Sequence, residues 1–225
     1  MGVITTGTAY EPLAEYFQSI KPGEDVLIEY TSNEPIHVFF HLLLEHLRRN
    51  GIPVIIVDEL DHLHILRTQL KLAGVDTELI DTANVIKIGG VLNIGNVLGR
   101  IDLSKEFPIR KKHYEEALKK VSADYTVRLV LGFDKVLAMH EMNRKDLEAL
   151  FGYMMRPHLG DERRTTVYFI NTELLGERTL KELREHASRV LNIRLKEKSI
   201  VIKVIKSPNI SEYGKEMKSG TECSI

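Results

Sequence analysis

Apolar and polar residues alternate along this chain at two different periods, and the switches between the periods mark its elements. Leu13, Tyr16 and Phe17 fall at helical spacing within Glu11–Ser19, ahead of a Pro22-Gly23 turn. Val26-Leu27-Ile28 is then a compact apolar strand, and after a polar loop a long helix is predicted from Pro35 to Arg49, ended by Asn50-Gly51. Pro53–Val57 reads as a second buried strand. From Asp61 to Ala73, Leu63, Leu66, Leu70 and Ala73 share one helical face, and Gly74 stops the helix. A βαβα series of this kind favours a mainly parallel sheet with helices packed on it.

The pattern loosens between Thr77 and Leu103. Short β-prone pieces, Glu78-Leu79-Ile80 and Val85–Ile88, are separated by Gly89-Gly90, Gly95 and Gly99, which predicts a strand followed by a hairpin-like excursion. Alternation resumes with a helix over Ile109–Val121, a strand over Val127–Leu131, a helix over Arg144–Met155, a strand over Thr166–Ile170 and a helix over Leu180–Ala187. Val190–Leu195 and Ile200–Ile205, separated by Lys196-Glu197-Lys198, suit an antiparallel hairpin at a sheet edge. After Pro208 the chain turns polar, so residues 1–206 are expected to form one domain and residues 207–225 a tail that frays.

Composition narrows the classes. With 225 residues, 43% hydrophobic and 28% charged, the chain is sized for one α/β core. The single cysteine, Cys223, allows no internal disulfide framework and no Cys-based zinc site, which suits a reducing, cytoplasmic setting. No basic start followed by an apolar run opens the chain, so no export is expected. The most apolar helical stretch, Val38–Leu47, is interrupted by His41, Glu45 and His46 and is too short for the roughly 20 residues of a membrane span. A formal net charge of -1 argues against nucleic acid as the main partner. The charge is uneven, however: residues 178–225 carry 11 Lys+Arg against 6 Glu, a balance of +5. Only Gln18 and Gln69 represent glutamine beside abundant Lys and Glu, which hints at a thermophilic source, although nine asparagines weaken the hint.

The run Leu13–Glu29, with its short helix, Pro-Gly turn and strand, is followed by a loop and a helix ending Leu47-Arg-Arg-Asn-Gly51. This resembles the opening of the RecA/KaiC-like ATPases, and more narrowly an archaeal KaiC-related family. The likeness continues through Pro53–Asp58 and Leu60–Asp76, and returns at Val127–Leu137, Thr165–Thr172 and the hairpin Arg189–Lys206. It implies a RecA-like sheet, mainly parallel and flanked by helices, with an antiparallel C-terminal hairpin. It also implies a phosphate loop after the first strand and acidic residues at the ends of two others.

A phosphate-binding loop needs glycines that bare their amides, a lysine for the β- and γ-phosphates, and Ser or Thr for magnesium. This chain offers Tyr30-Thr-Ser-Asn-Glu-Pro-Ile-His37, with no glycine between Gly23 and Gly51. In the best register Ile36 replaces the lysine and His37 the Ser or Thr. Glu34 puts a carboxylate where a phosphate would sit, and Pro35 removes an amide. Like charges about 4 Å apart repel by about 1 kcal/mol in water and more when partly buried. Thr31, Ser32, Asn33, Glu34 and His37 are therefore the candidate ligand-binding residues of a degenerate loop, with Ser32, Asn33 or Glu34 expected to cap the helix. Where the resemblance implies a magnesium-ordering aspartate, Gly132 stands, and Asp134 reads as the N-cap of the next turn. Asp58, Glu59 and Asp61 could supply the family's water-activating carboxylate, but acidic residues are common at helix starts.

The helix with His37 and His41 carries Phe39, Phe40, Leu42, Leu43 and Leu44, so its apolar residues cover more than one face. Phe39, Phe40, Leu43 and Leu44 are therefore candidates for a protein interface as well as for the core. His37 and His41 lack the intervening glutamate of a His-Glu-x-x-His zinc site, so no metal is expected. Neither His140-Glu141 nor Ser188 has a nucleophile context. These features point to a non-hydrolysing RecA/KaiC-like scaffold, not an enzyme. It needs no cofactor and has scope for a protein or peptide partner, or for a second copy of itself. Two other readings stay open: an atypical nucleotide binder using Thr31, Ser32 and Asn33, and a nucleic-acid accessory protein using a basic edge at Arg194, Lys196 and Lys203.

Overall fold

The computed structural model describes residues 11–197 and 199–219, leaving Cys223 and Lys198 outside the described residues. One sheet of nine strands runs through it: β1 (Asp25–Tyr30), β2 (Val54–Glu59), β3 (Asn84–Ile88), β4 (Asn96–Ile101), β5 (Thr126–Leu131), β6 (Arg164–Asn171), β7 (Arg189–Lys196), β8 (Ser199–Lys206) and β9 (Glu216–Ser219). Their spatial order is β4-β3-β2-β5-β6-β1-β7-β8-β9. From β4 to β7 all neighbours are parallel, while β8 and β9 add antiparallel. The RecA-like mixed sheet expected from the sequence is the sheet observed.

Because β1, β5 and β6 are covered on both faces, every residue in them is buried. That is why these strands read as apolar runs and not as alternation. One face packs against α1 (Glu11–Gln18), α2 (Ile36–Arg49), α3 (His62–Leu72) and the single turn α4 (Glu78–Asp81). The other carries α5 (Phe107–Leu118), α6 (Phe133–His140), α7 (Arg144–Leu150) and α8 (Glu177–His186).

Several expectations are corrected. In α2, Ile36, Phe39, Phe40, Leu43, Leu44 and Leu47 repeat every three or four residues along one stripe and are all buried. Phe39 and Phe40 meet Phe169 of β6, with ring centroids 6.2 and 5.7 Å away. Phe39, Phe40, Leu43 and Leu44 thus belong to the chain's own core and leave no side chain for a partner. The hairpin-like excursion is absent as well. Glu78–Ile80 is helical, and β4 lies parallel to β3 after a crossover of residues 89–95. Gly89, Gly90 and Gly95, all at positive φ, make its sharp reversals without a helix.

The helix predicted over Arg144–Met155 is α-helical only to Leu150 and continues as a π-helical turn, Phe151–Met155. Beyond Pro208, Glu216–Ser219 pairs with β8, so the expected hairpin is present but does not form the sheet edge. Arg189 fastens this end, reaching Glu24 at 3.0 Å, Glu212 at 2.5 Å and the Tyr16 hydroxyl at 2.5 Å. Among the described residues no helix is long and apolar enough to cross a membrane.

Candidate functional site

The loop after β1 lies at the C-terminal ends of parallel strands, where open α/β sheets bind ligands. Here the chain's own carboxylates occupy it. Glu173, just past β6, accepts the Ser32 amide at 3.0 Å, and contact with the Ser32 hydroxyl and amide holds its carboxyl below the usual range. The Ser32 hydroxyl in turn accepts Asn171 Nδ2 at 2.9 Å. Glu34 Oε2 accepts the Leu195 amide of β7 at 2.6 Å, and its other oxygen lies 3.4 Å from the Thr31 hydroxyl. Residue 35 is the N-cap of α2 and makes no side-chain cap bond, so the expected capping by Ser32, Asn33 or Glu34 does not occur. The Glu34 side chain is drawn sideways to β7, while the Pro35 carbonyl takes the Val38 and Phe39 amides.

Asn33 is exposed, and His37 is half-buried, with burial pushing its imidazole pKa down. Thr31, Ser32 and Glu34 therefore share one hydrogen-bonded knot with Asn171, Glu173 and Leu195. Sequence reasoning missed those last three: Asn171 ends β6, Glu173 lies two residues beyond it, and Leu195 is in β7.

Asp58, near the end of β2, and Asp61, just past it, are held in place by a buried lysine. Lys87 Nζ of β3 lies 2.5 Å from Asp58 Oδ2 and 2.6 Å from Asp61 Oδ1. Asp58 also accepts the Leu63 amide at 2.9 Å, and Asp61 accepts the Val91 and Leu92 amides at 2.8 and 3.0 Å. Desolvation is the largest influence on Asp61 and works upward. The bonds from Lys87, Val91 and Leu92 outweigh it, keeping this carboxyl below its ordinary range. These contacts lock both aspartates into the turn. Lysine between isoleucines in Ile86-Lys87-Ile88 was the available signal, since a buried lysine requires a carboxylate partner.

Glu59 is different. Its side chain is buried with Oε2 unpartnered, and desolvation, then Asp134 and Asp58, push its pKa well up against an opposing pull from Arg110. Asp134 is not the N-cap, a place taken by Gly132 in left-handed geometry. It is buried in the first turn of α6, where its two oxygens accept the Lys135 and Asn171 amides at 2.9 and 2.8 Å. Burial raises its pKa despite those bonds.

On the α5 side, a cavity of about 30 Å³ is lined by Glu59, Tyr114, Arg128, His158, Arg164 and Tyr168 together with apolar neighbours. Residues 15–218 match the family model described as "Pyrococcus protein of unknown function, DUF257". The chain belongs to this family. No curated protein matches it. Among solved structures, a likeness is seen to a protein from Pyrococcus horikoshii OT3, with 24% identity and a TM-score of 0.78 over 90% of this chain and 96% of that one. A KaiC-like protein from the same organism gives 14% identity and a TM-score of 0.57 over 88% and 85% of the two chains. A third Pyrococcus horikoshii protein, crystallised in complex with an unknown peptide, gives 17% and 0.62 over 93% and 98%. These likenesses place the DUF257 chain on the RecA/KaiC-like fold.

Among the described residues no group of three His, Cys, Asp or Glu side chains could hold a metal ion. Arg194, Lys196 and Lys203 are exposed, and Arg194 Nε bonds Asn192 at 3.0 Å. Ser188 bonds the Asp25 carbonyl at 3.0 Å, a structural contact.

Proposed function

We propose that this DUF257 protein is a non-hydrolysing scaffold of the RecA/KaiC type that works by contacting a protein or peptide. The observation that carries the reading is the closure of residues 31–35 by Glu173 and Glu34. A triphosphate entering there would meet two carboxylates and find neither a lysine nor a glycine-rich run of free amides. Asp58 and Asp61, the candidates for activating water, are committed to Lys87. Fold alone confers no activity, so the scaffold carries no ATPase role with it.

A peptide-contacting role is supported by the fold neighbour crystallised with a peptide. It is also supported by an apolar strip around the α6–α7 turn. Met139 and Met142 are 64% and 97% exposed. Between them His140 lies 5.6 Å from the Phe107 ring, which stacks on Tyr153 at 6.4 Å. Flexible methionines beside aromatic rings make an adaptable contact surface.

The test has two arms. Calorimetry with ATP or ADP and magnesium should give no saturable heat, and ATP turnover should equal the buffer blank. Turnover lost in Asp134→Asn would overturn the non-hydrolysing part. Selection from a random peptide library should yield a consensus whose binding falls at least tenfold in Met142→Asp with the melting temperature unchanged. A library with no enriched sequence would overturn the peptide part.

A further inference from the structure

A cavity of about 30 Å³ has room for one or two water molecules or one ion of similar size. What distinguishes this one is the unbalanced charge in its wall. Arg164 is largely satisfied: it bonds the His158 carbonyl at 2.6 Å, contacts Thr166, and lies 3.1 Å from Asp25. Arg128, on the neighbouring strand β5, has no carboxylate in ion-pair contact among the described residues. Its guanidinium lies 5.8 Å from the Tyr114 ring centroid, and its Nε has no hydrogen-bond partner. Arg164 Nε is also unpartnered. Both side chains are buried, at 9% and 3% exposure, where an unmatched cation and an unused N–H are costly.

The rest of the wall does not supply the missing negative charge. Glu59, the carboxylate in the lining, is in a setting that favours its neutral form, and Asp25, outside the lining, pairs with Arg164 and reaches Arg128 only through the longer-range field that both guanidinium groups share. His158 faces Arg164, Arg128 and Lys111, with Asp161 the one opposing acid. The π-helical turn Phe151–Met155 contributes Met154 to the cavity lining. Such turns insert an extra residue into a helix and are frequent at binding sites.

We infer that this cavity binds one small monovalent anion, of halide or carboxylate-headgroup size, against the Arg128 guanidinium. The anion completes the charge balance of Arg128 and accepts the N–H groups that the protein leaves unused. Tyr114 and Tyr168 bound the cavity beside it and limit its size, so a phosphate ester with its larger, doubly charged head fits poorly.

The probes are chloride, bromide and acetate added to the intact chain at constant ionic strength, with fluoride as the strongly hydrated control. Chloride-35 line broadening should saturate, and crystals grown with bromide should show an anomalous peak beside Arg128. Competition by acetate at lower concentration than bromide would assign the site to a carboxylate headgroup; the reverse order would assign it to a free halide. Arg128→Met should weaken binding at least tenfold, and Arg128→Lys should restore part of it. Should Arg128→Met fail to fold, the imidazole of His158 decides in the unaltered protein. Desolvation, then Arg164, Arg128 and Lys111, hold its pKa at about 4, and a bound anion should raise it. Linear, non-saturating responses with an unmoved His158, or bromide density without any effect in solution, would mean an adventitious ion only and overturn the inference.

Discussion

Lys87 Nζ lies 2.5 Å from Asp58 Oδ2 across adjacent parallel strands, with both side chains 1% exposed. Deleting one member of such a pair strands the other in a medium that solvates it poorly. Lys87→Met should therefore cost about 3–5 kcal/mol, read from urea unfolding. Adding Asp58→Asn and Asp61→Asn should recover most of the loss. Additive losses in the triple variant would mean that the lysine matters for its packing alone.

Glu59 should make the protein less stable toward alkali. Its folded pKa is raised well above the ordinary 4.5, so the folded state binds a proton that the unfolded chain releases. The stabilising contribution is complete below the unfolded pKa and is lost as pH rises through the folded one. Glu59→Gln should flatten the fall of the melting temperature above pH 4.5 and leave the variant more stable than its parent at pH 8. Parallel profiles for the two proteins would contradict this.

Gly132 joins β5 to α6 at φ 82°, and a Cβ there would collide with the Glu59 carbonyl oxygen. Gly132→Ala should cost at least about 2 kcal/mol from backbone strain and the clash together. By contrast Gly152→Ala, in the π-helical turn with nothing within 4 Å, should change stability by under about 1 kcal/mol. Guanidinium melts of the two variants give the comparison.

Removing the carboxylates that close the loop after β1 should not create a nucleotide site. Glu34→Gln with Glu173→Gln leaves Pro35 and Ile36 in place and adds no lysine or glycine. Calorimetry with ATP and magnesium on the double variant should still show no saturable heat. A measurable dissociation constant would show that charge alone had kept the nucleotide out.

Much of the fold was legible because its strands are buried on both faces and appear as short apolar runs between Gly, Pro and Asn. The order of elements, the parallel core and the β7–β8 hairpin follow from that spacing. Residues 84–101 misled because glycines at 89, 90 and 95 signal a reversal without saying whether the next strand returns alongside or crosses over. In α2, thick apolar composition hid a single stripe, since Leu42 and Val38 are only half-buried. The loop residues Thr31, Ser32 and Glu34 were identified from local spacing, whereas their partners Asn171, Glu173 and Leu195 come from β6, the turn after it and β7, more than a hundred residues away. Neither Lys87 nor Arg128 belongs to a motif. Each is noticeable only as a cation inside an apolar strand, and what it faces depends on register.

The placement of β1 between β6 and β7 governs how the chain can be made. A ribosome delivers Asp25–Tyr30 long before either lateral neighbour, since neither exists until Arg164 and beyond have emerged. A nascent chain that stops short of β6 can assemble β2, β3, β4 and β5 as a ladder but must leave β1 unhoused. Sheet closure is therefore a late, long-range event, and contacts so distant along the chain make it slow.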